Sequence, residues 1–185
     1  MHLATLLALA ATSLAAPQQS PPTYGSKNYF TILMTVGSGT TARNITLSAF
    51  PYSTRHLYLV GDDQAPAAKA YLTGPNPNKQ ALHLDVASVT YGVDVAEIGN
   101  SQNVAEPVTA TPGFEEFEFQ AIGGRVYHEL SAGSNVWLAC DRLIDGRNKP
   151  VLAWGAMGRD GSFVEGCSFA SVYQDFGARN KSTDN

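Results

Sequence analysis

Two cysteines, Cys140 and Cys167, bracket the most strand-rich part of this 185-residue chain. The stretch 135–172 reads NVWLACDRLIDGRNKPVLAWGAMGRDGSFVEGCSFASV and also holds both tryptophans, Trp137 and Trp154. Three apolar runs cross it, at 136–139, 151–154 and 169–172, each bounded by glycine, asparagine or aspartate, which is how strands are punctuated. The reading is three neighbouring strands with a disulfide tying the first to the last. In the chain-entropy model, closing that loop stabilises the fold by roughly 3–4 kcal/mol.

Pairing of the two thiols goes with an oxidising compartment, and the N-terminus points to one. Residues 3–16 (LATLLALAATSLAA) form a short apolar run ending in small residues. A bilayer-spanning helix takes roughly 20 apolar residues, so the run fits the core of a secretory signal peptide, with cleavage expected after Ala15 or one residue later. Residues 17–27 (PQQSPPTYGSK) have no apolar period and read as a flexible arm. The expected organisation is a signal peptide at 1–15, an arm at 16–27, one β-domain at 28–177 and a disordered polar tail at 178–185. No later segment is apolar enough to cross a membrane. The net charge of −4, with 15% charged residues, offers no basic footprint for nucleic acid.

Between arm and tail the chain alternates short apolar runs with turn signals. Residues 29–36 (YFTILMTV) are dense in aromatic and β-branched side chains. Residues 44–50 (NITLSAF) put Ile45, Leu47 and Ala49 on one side, and 56–60 (HLYLV) do the same with Leu57 and Leu59. A short strand at 69–72 precedes a turn at 74–78. In 81–86 (ALHLDV), Leu82, Leu84 and Val86 are expected inside, His83 and Asp85 outside. Strands are also expected at 89–98, 108–110 and 114–119 (FEEFEF), with 101–106 as loop. Gly123-Gly124 signals a hairpin from FEEFEF into 125–130, where Val126 and His128 face one way and Arg125 and Tyr127 the other. No amphipathic helix survives the glycines and prolines. About ten short strands at this spacing predict an all-β, mostly antiparallel sandwich or barrel.

Candidate chemistry is sparse. Asn44-Ile45-Thr46 and Asn180-Lys181-Ser182 fit the N-glycosylation sequon. The histidines show no metal-ligand spacing, so no metal and no cofactor is expected. There is no Gly-x-Ser-x-Gly run and no phosphate loop. Asp145-Gly146 and Asp160-Gly161 lack the alternating carboxylates of calcium loops and read as turns. His128 and Glu129 are adjacent on a strand and point to opposite faces, so His128 needs a carboxylate from elsewhere, such as Glu115, to work as an acid or base. Trp137 and Trp154, with Asp141 and Arg142, offer a platform for sugar if the indoles are exposed; packed in the core against the disulfide, they do not.

Two resemblances follow from these residues. The run YHELSAGSNVWLAC is similar to the histidine-bearing strand of small guanyl-specific ribonucleases, which implies a hydrolytic centre at His128 drawing on Arg125 and a FEEFEF glutamate; the spacing is shorter than in that family and the chain continues further. Glu106-Pro107-Val108-Thr109, Trp137-Leu138-Ala139-Cys140-Asp141, Pro150-Val151-Leu152-Ala153-Trp154 and Gly166-Cys167-Ser168 resemble a group of small secreted fungal β-proteins. Their Cys-Trp-Cys layout is similar to that of fungal cell-wall proteins of the PhiA type, related to IgE-binding antigens. Where that group has an aromatic segment after the first cysteine, this chain has Arg142-Leu143-Ile144-Asp145. The resemblance implies secretion, an all-β domain and one disulfide, and no catalytic residues. The expectation is a secreted, non-catalytic, monomeric recognition protein of the fungal cell wall or host interface, with a wall glycan or host protein as partner. The alternatives are a carbohydrate-binding module and a ribonuclease-like hydrolase centred on His128.

Overall fold

Apolar residues at every second position dictate where strands can sit, and the computed structural model, described here for residues 27–98, 101–128 and 135–177, follows that period. Thirteen strands form one antiparallel sheet: β1 Phe30–Val36, β2 Arg43–Pro51, β3 Leu57–Gly61, β4 Lys69–Asn76, β5 Lys79–Val86, β6 Val89–Asp94, β7 Val104–Pro107, β8 Thr109–Pro112, β9 Phe119–Ile122, β10 Arg125–His128, β11 Asn135–Ile144, β12 Arg147–Ala156 and β13 Cys167–Asp175. A 3-10 turn at Gly39–Thr41 joins β1 to β2. Among the described residues there is no α-helix, and so none long and apolar enough to cross a membrane.

The sheet closes on itself because several strands change partner along one edge. Strand β1 pairs with β13 along most of its length, from Thr31↔Asp175 to Val36↔Ala170. Its other edge is shared by β4 at Phe30↔Ala70 and β2 at Leu33↔Thr46. Pairings then run from β1 through β2, β3, β8, β6, β5 and β4 back to β1. Further closures are made by β3 with β12 at Val60↔Val151 and by β5 with β9 at Gln80↔Phe119. The barrel side of the expectation is therefore the apt description. Phe30, Ile32 and Met34 of β1 point into the main core with Leu47, Leu59, Leu84, Phe119, Val126 and Val172. Burying a side chain of this size contributes about 1.5–3 kcal/mol.

The C-terminal strands bear out the staple. Cys140 on β11 lies directly opposite Cys167 on β13, and the sulfurs are bonded, with the α-carbons 4.0 Å apart. Strand β12 flanks the other edge of β11 through a hairpin closed by Asp145-Gly146, both at positive φ. A second small cluster, Leu138, Cys140 and Ala153 with Phe163 and Cys167 against it, covers the face of β11 and β12 away from the main core.

Several boundaries differ from the pattern reading. Strand β4 continues through Gly74 and Pro75 to Asn76, with a register shift between Thr73 and Asn76 that accommodates both. Residues 104–107 form the strand β7 on the edge of β12, not a loop. Of FEEFEF, only Phe119 is in a strand. Residues 95–98 and 108 lie outside strands although Val95, Ile98 and Val108 are buried. His83 is buried, not outward: Tyr71 stacks on its ring at 5.0 Å, and Thr73 Oγ1 lies 2.8 Å from its Nε2. Residues 129 and 130, expected to continue β10, fall outside the described residues, as do the leader, most of the arm, and the tail.

Candidate functional site

Trp137 and Trp154 are register partners on β11 and β12. Their rings meet edge-on at 4.7 Å, and they are 5% and 2% exposed. Trp137 Nε1 donates to the Val126 carbonyl at 3.0 Å. Neither indole offers a face to a ligand, which corrects the sugar-platform reading: large aromatic rings are worth most where they are buried. Asp141 and Arg142 lie beyond Cys140 where β11 leaves the core, and both are exposed. The structure therefore does not bring the four together as a surface. Asn44 is exposed on β2, with its Oδ1 accepting a hydrogen bond from Thr35 Oγ1 at 2.7 Å, so the sequon stands on an accessible face. Asn180 lies outside the described residues.

What the tryptophans do is wall in His128. The residue is 1% exposed, and its ring packs against Phe119 at 4.9 Å, Trp154 at 5.3 Å and Trp137 at 6.3 Å. Strand β10 points His128 inward with Val126, as alternation predicts. The carboxylate comes not from Glu115 but from Glu116, whose Oε1 lies 3.2 Å from His128 Nε2. Glu118 Oε2 lies 3.8 Å from the same nitrogen.

The local chain explains this meeting. The β9–β10 hairpin sets Phe119 opposite His128, so the residues just before Phe119 fold over the histidine. They are not paired as a strand; they lie against β6 at Gly92, where a β-carbon would overlap the Phe114 carbonyl. Glu116 Oε2 then accepts the Val95 N–H at 3.1 Å, which fixes its carboxylate. The sequence signal for this meeting is the Gly123-Gly124 turn, which returns the FEEFEF glutamates to His128.

A half-exposed row leads to this corner. Phe50, Tyr58, Thr109 and Asp94 are successive register partners across β2, β3, β8 and β6. The neighbouring row Leu57, Ala110 and Val93 is buried, as the pleat requires. Tyr52 stacks on Tyr58 at 3.8 Å with the rings 8° from parallel. Burial pushes the Asp94 carboxyl up, and the charge of Glu116 pushes it further, against opposing pulls from His56 and His128.

A separate cavity of about 820 Å³ opens where β1 begins and β5 ends. Phe30, Ala49 and the small apolar residues 65–68 line it, with the rings of Tyr29 and Phe176, and Ser48, Asp85 and Asp175 supply polar atoms. Burial opposes the charge on Asp85, but hydrogen bonds from Thr90, Tyr29 and Lys27 outweigh it and hold the carboxyl down at about 2. The Tyr29 and Thr90 hydroxyls each donate at 2.6 Å and the Lys27 ammonium at 3.0 Å. The hairpin beside it, Ala87-Ser88, has φ of 48° and 67°. Those are type I′ values, which normally take Asn-Gly, so two ordinary residues are held in an unfavourable backbone region on the cavity wall. Compared with known proteins, the chain matches no family model, no curated protein and no solved structure.

Proposed function

We propose that this is a secreted, non-catalytic recognition protein of a fungal surface, and that it binds a sugar in the cavity beside Asp85. The observation that carries this reading is the cavity itself: about 820 Å³, with an apolar floor, aromatic rings at Tyr29 and Phe176, and a few polar groups at fixed positions. That combination suits a pyranose, whose C–H face packs on an aromatic ring while its hydroxyls reach side-chain oxygens. Phe176 is 40% exposed and edge-on to Phe30 at 5.6 Å, so it is available for such a contact. The leader-like run, the disulfide, the accessible Asn44 sequon and the resemblance to fungal cell-wall proteins support the extracellular setting.

A glycan array on the purified protein, followed by calorimetry on any hit, tests this. Binding should weaken by about 1 kcal/mol or more, roughly fivefold, in Phe176→Ala. An array without hits, or a hit indifferent to Phe176→Ala, would remove the cavity from consideration as a sugar site. The 3.2 Å approach of Glu116 to His128 supports a second reading as a hydrolase. RNA cleavage that disappears in Glu116→Gln would establish that reading, and an inert wild-type protein would dismiss it.

A further inference from the structure

We propose that Glu116, Glu118 and His128 bind a single divalent transition-metal ion of the zinc class. One ligand atom from each lies within 4.8 Å of the other two, and His128 Nε2 is 3.2 Å from Glu116 Oε1 and 3.8 Å from Glu118 Oε2. Zinc holds nitrogen and oxygen ligands at about 2.0–2.2 Å in a tetrahedron, which sets neighbouring ligand atoms about 3.3–3.6 Å apart. The two distances from His128 Nε2, 3.2 Å and 3.8 Å, bracket that interval. Rotation of the two glutamate side chains about their own bonds closes the remaining gap to a tetrahedral set.

The site is built, not merely crowded. His128 has no exposed side-chain surface, and its ring is wedged by Phe119, Trp137 and Trp154, so Nε2 stays aimed at the glutamates. Glu116 is oriented by the Val95 N–H on Oε2, leaving Oε1 for the ion; a hydrogen bond to the non-ligating atom is the usual support of a metal ligand. Among the described residues no lysine or arginine pairs with either glutamate; the lysine ion pairs go to Asp85 and Asp62. A cation at this point compensates two neighbouring carboxylates that no lysine or arginine among the described residues pairs with.

The donor set also selects the ion. An imidazole nitrogen with two carboxylates suits zinc and its first-row neighbours, whereas calcium takes six to eight oxygens. Glu116 and Glu118 are 15% and 39% exposed at the side chain, so an ion enters from solvent past Glu118. Three protein ligands leave a fourth position for water or for a group on a bound molecule. The site does not depend on sugar binding in the cavity, which shares none of these residues.

The test is zinc calorimetry on the full chain after chelator treatment, with bound metal counted by elemental analysis and cobalt used as a visible-absorption probe. One zinc per chain is expected, with tetrahedral cobalt bands and a thermal midpoint that rises with zinc concentration. Glu118→Gln and Glu116→Gln should each weaken zinc by at least about tenfold, while Glu115→Gln, at an exposed neighbour, leaves it unchanged. Because the Glu118 side chain is partly exposed, its variant keeps the fold, which far-UV circular dichroism checks. Substoichiometric zinc, affinity indifferent to both substitutions, or calcium bound more tightly than zinc would each overturn the proposal.

Discussion

Two buried positions set the properties of individual residues. The His83 imidazole is pushed below its ordinary range, chiefly by burial. In the unfolded chain that push is absent, so the unfolded state takes up the proton first as pH falls. The contribution of neutral His83 to stability is therefore complete above about pH 6.5 and is lost progressively below it. Denaturant titrations of wild type and His83→Gln should show a shallower fall between neutral and mildly acid pH in the variant. Gly92 is the second position, because only a residue without a β-carbon lets the Phe114 carbonyl lie against β6. Gly92→Ala should cost about 1–3 kcal/mol in denaturation and should displace Glu116, lowering zinc affinity as well. Neither residue's role was legible in the sequence. The alternation of ALHLDV correctly separates Leu82 and Leu84 from His83, but cannot say that Tyr71 from β4 covers the second face. Gly92 looks like any strand glycine until the chain that crosses it is known.

Individual strands were easier to recognise than their ends. Runs rich in β-branched and aromatic residues became β1, β2, β3, β5, β11, β12 and β13, because half-buried strands demand that pattern. Strand β7 has too short an apolar signal to stand out, and its place is given by the free edge of β12. FEEFEF has strand composition yet spends its first residues crossing Gly92, a tertiary demand that propensity does not register. Turns divide in the same way. Gly123-Gly124 and Asp145-Gly146 carry their positive φ angles openly, but Ala87-Ser88 does not. A non-glycine residue in that region gives up about 1–2 kcal/mol relative to an ordinary conformation. Ser88→Gly should accordingly raise unfolding free energy by about 1 kcal/mol, measured by denaturant titration, because its φ of 67° lies where glycine is at ease.

For the molecule as a whole, the disulfide ties together strands that the sheet already places side by side. Its main effect falls on the unfolded chain, where it closes a segment with a sequence separation of 27. Cys140→Ser with Cys167→Ser should lower stability by about 3–4 kcal/mol, read from denaturant midpoints, while far-UV circular dichroism under native conditions remains that of a β-protein. Class and clamp were readable in advance, since both follow from local pattern and from the pairing of two cysteines. The closure of the sheet was not, because partner changes along β1, β3 and β13 are decided by the packing of distant segments. The seam between β1 and β13 has a further result. The first strand gains its full-length neighbour only when the last one has been made, since Thr31 pairs with Asp175. Native hydrogen bonding along β1 is therefore complete only once β13 is in place. A piece of the chain that stops short of β13 leaves that edge of β1 bare and open to pairing with another chain.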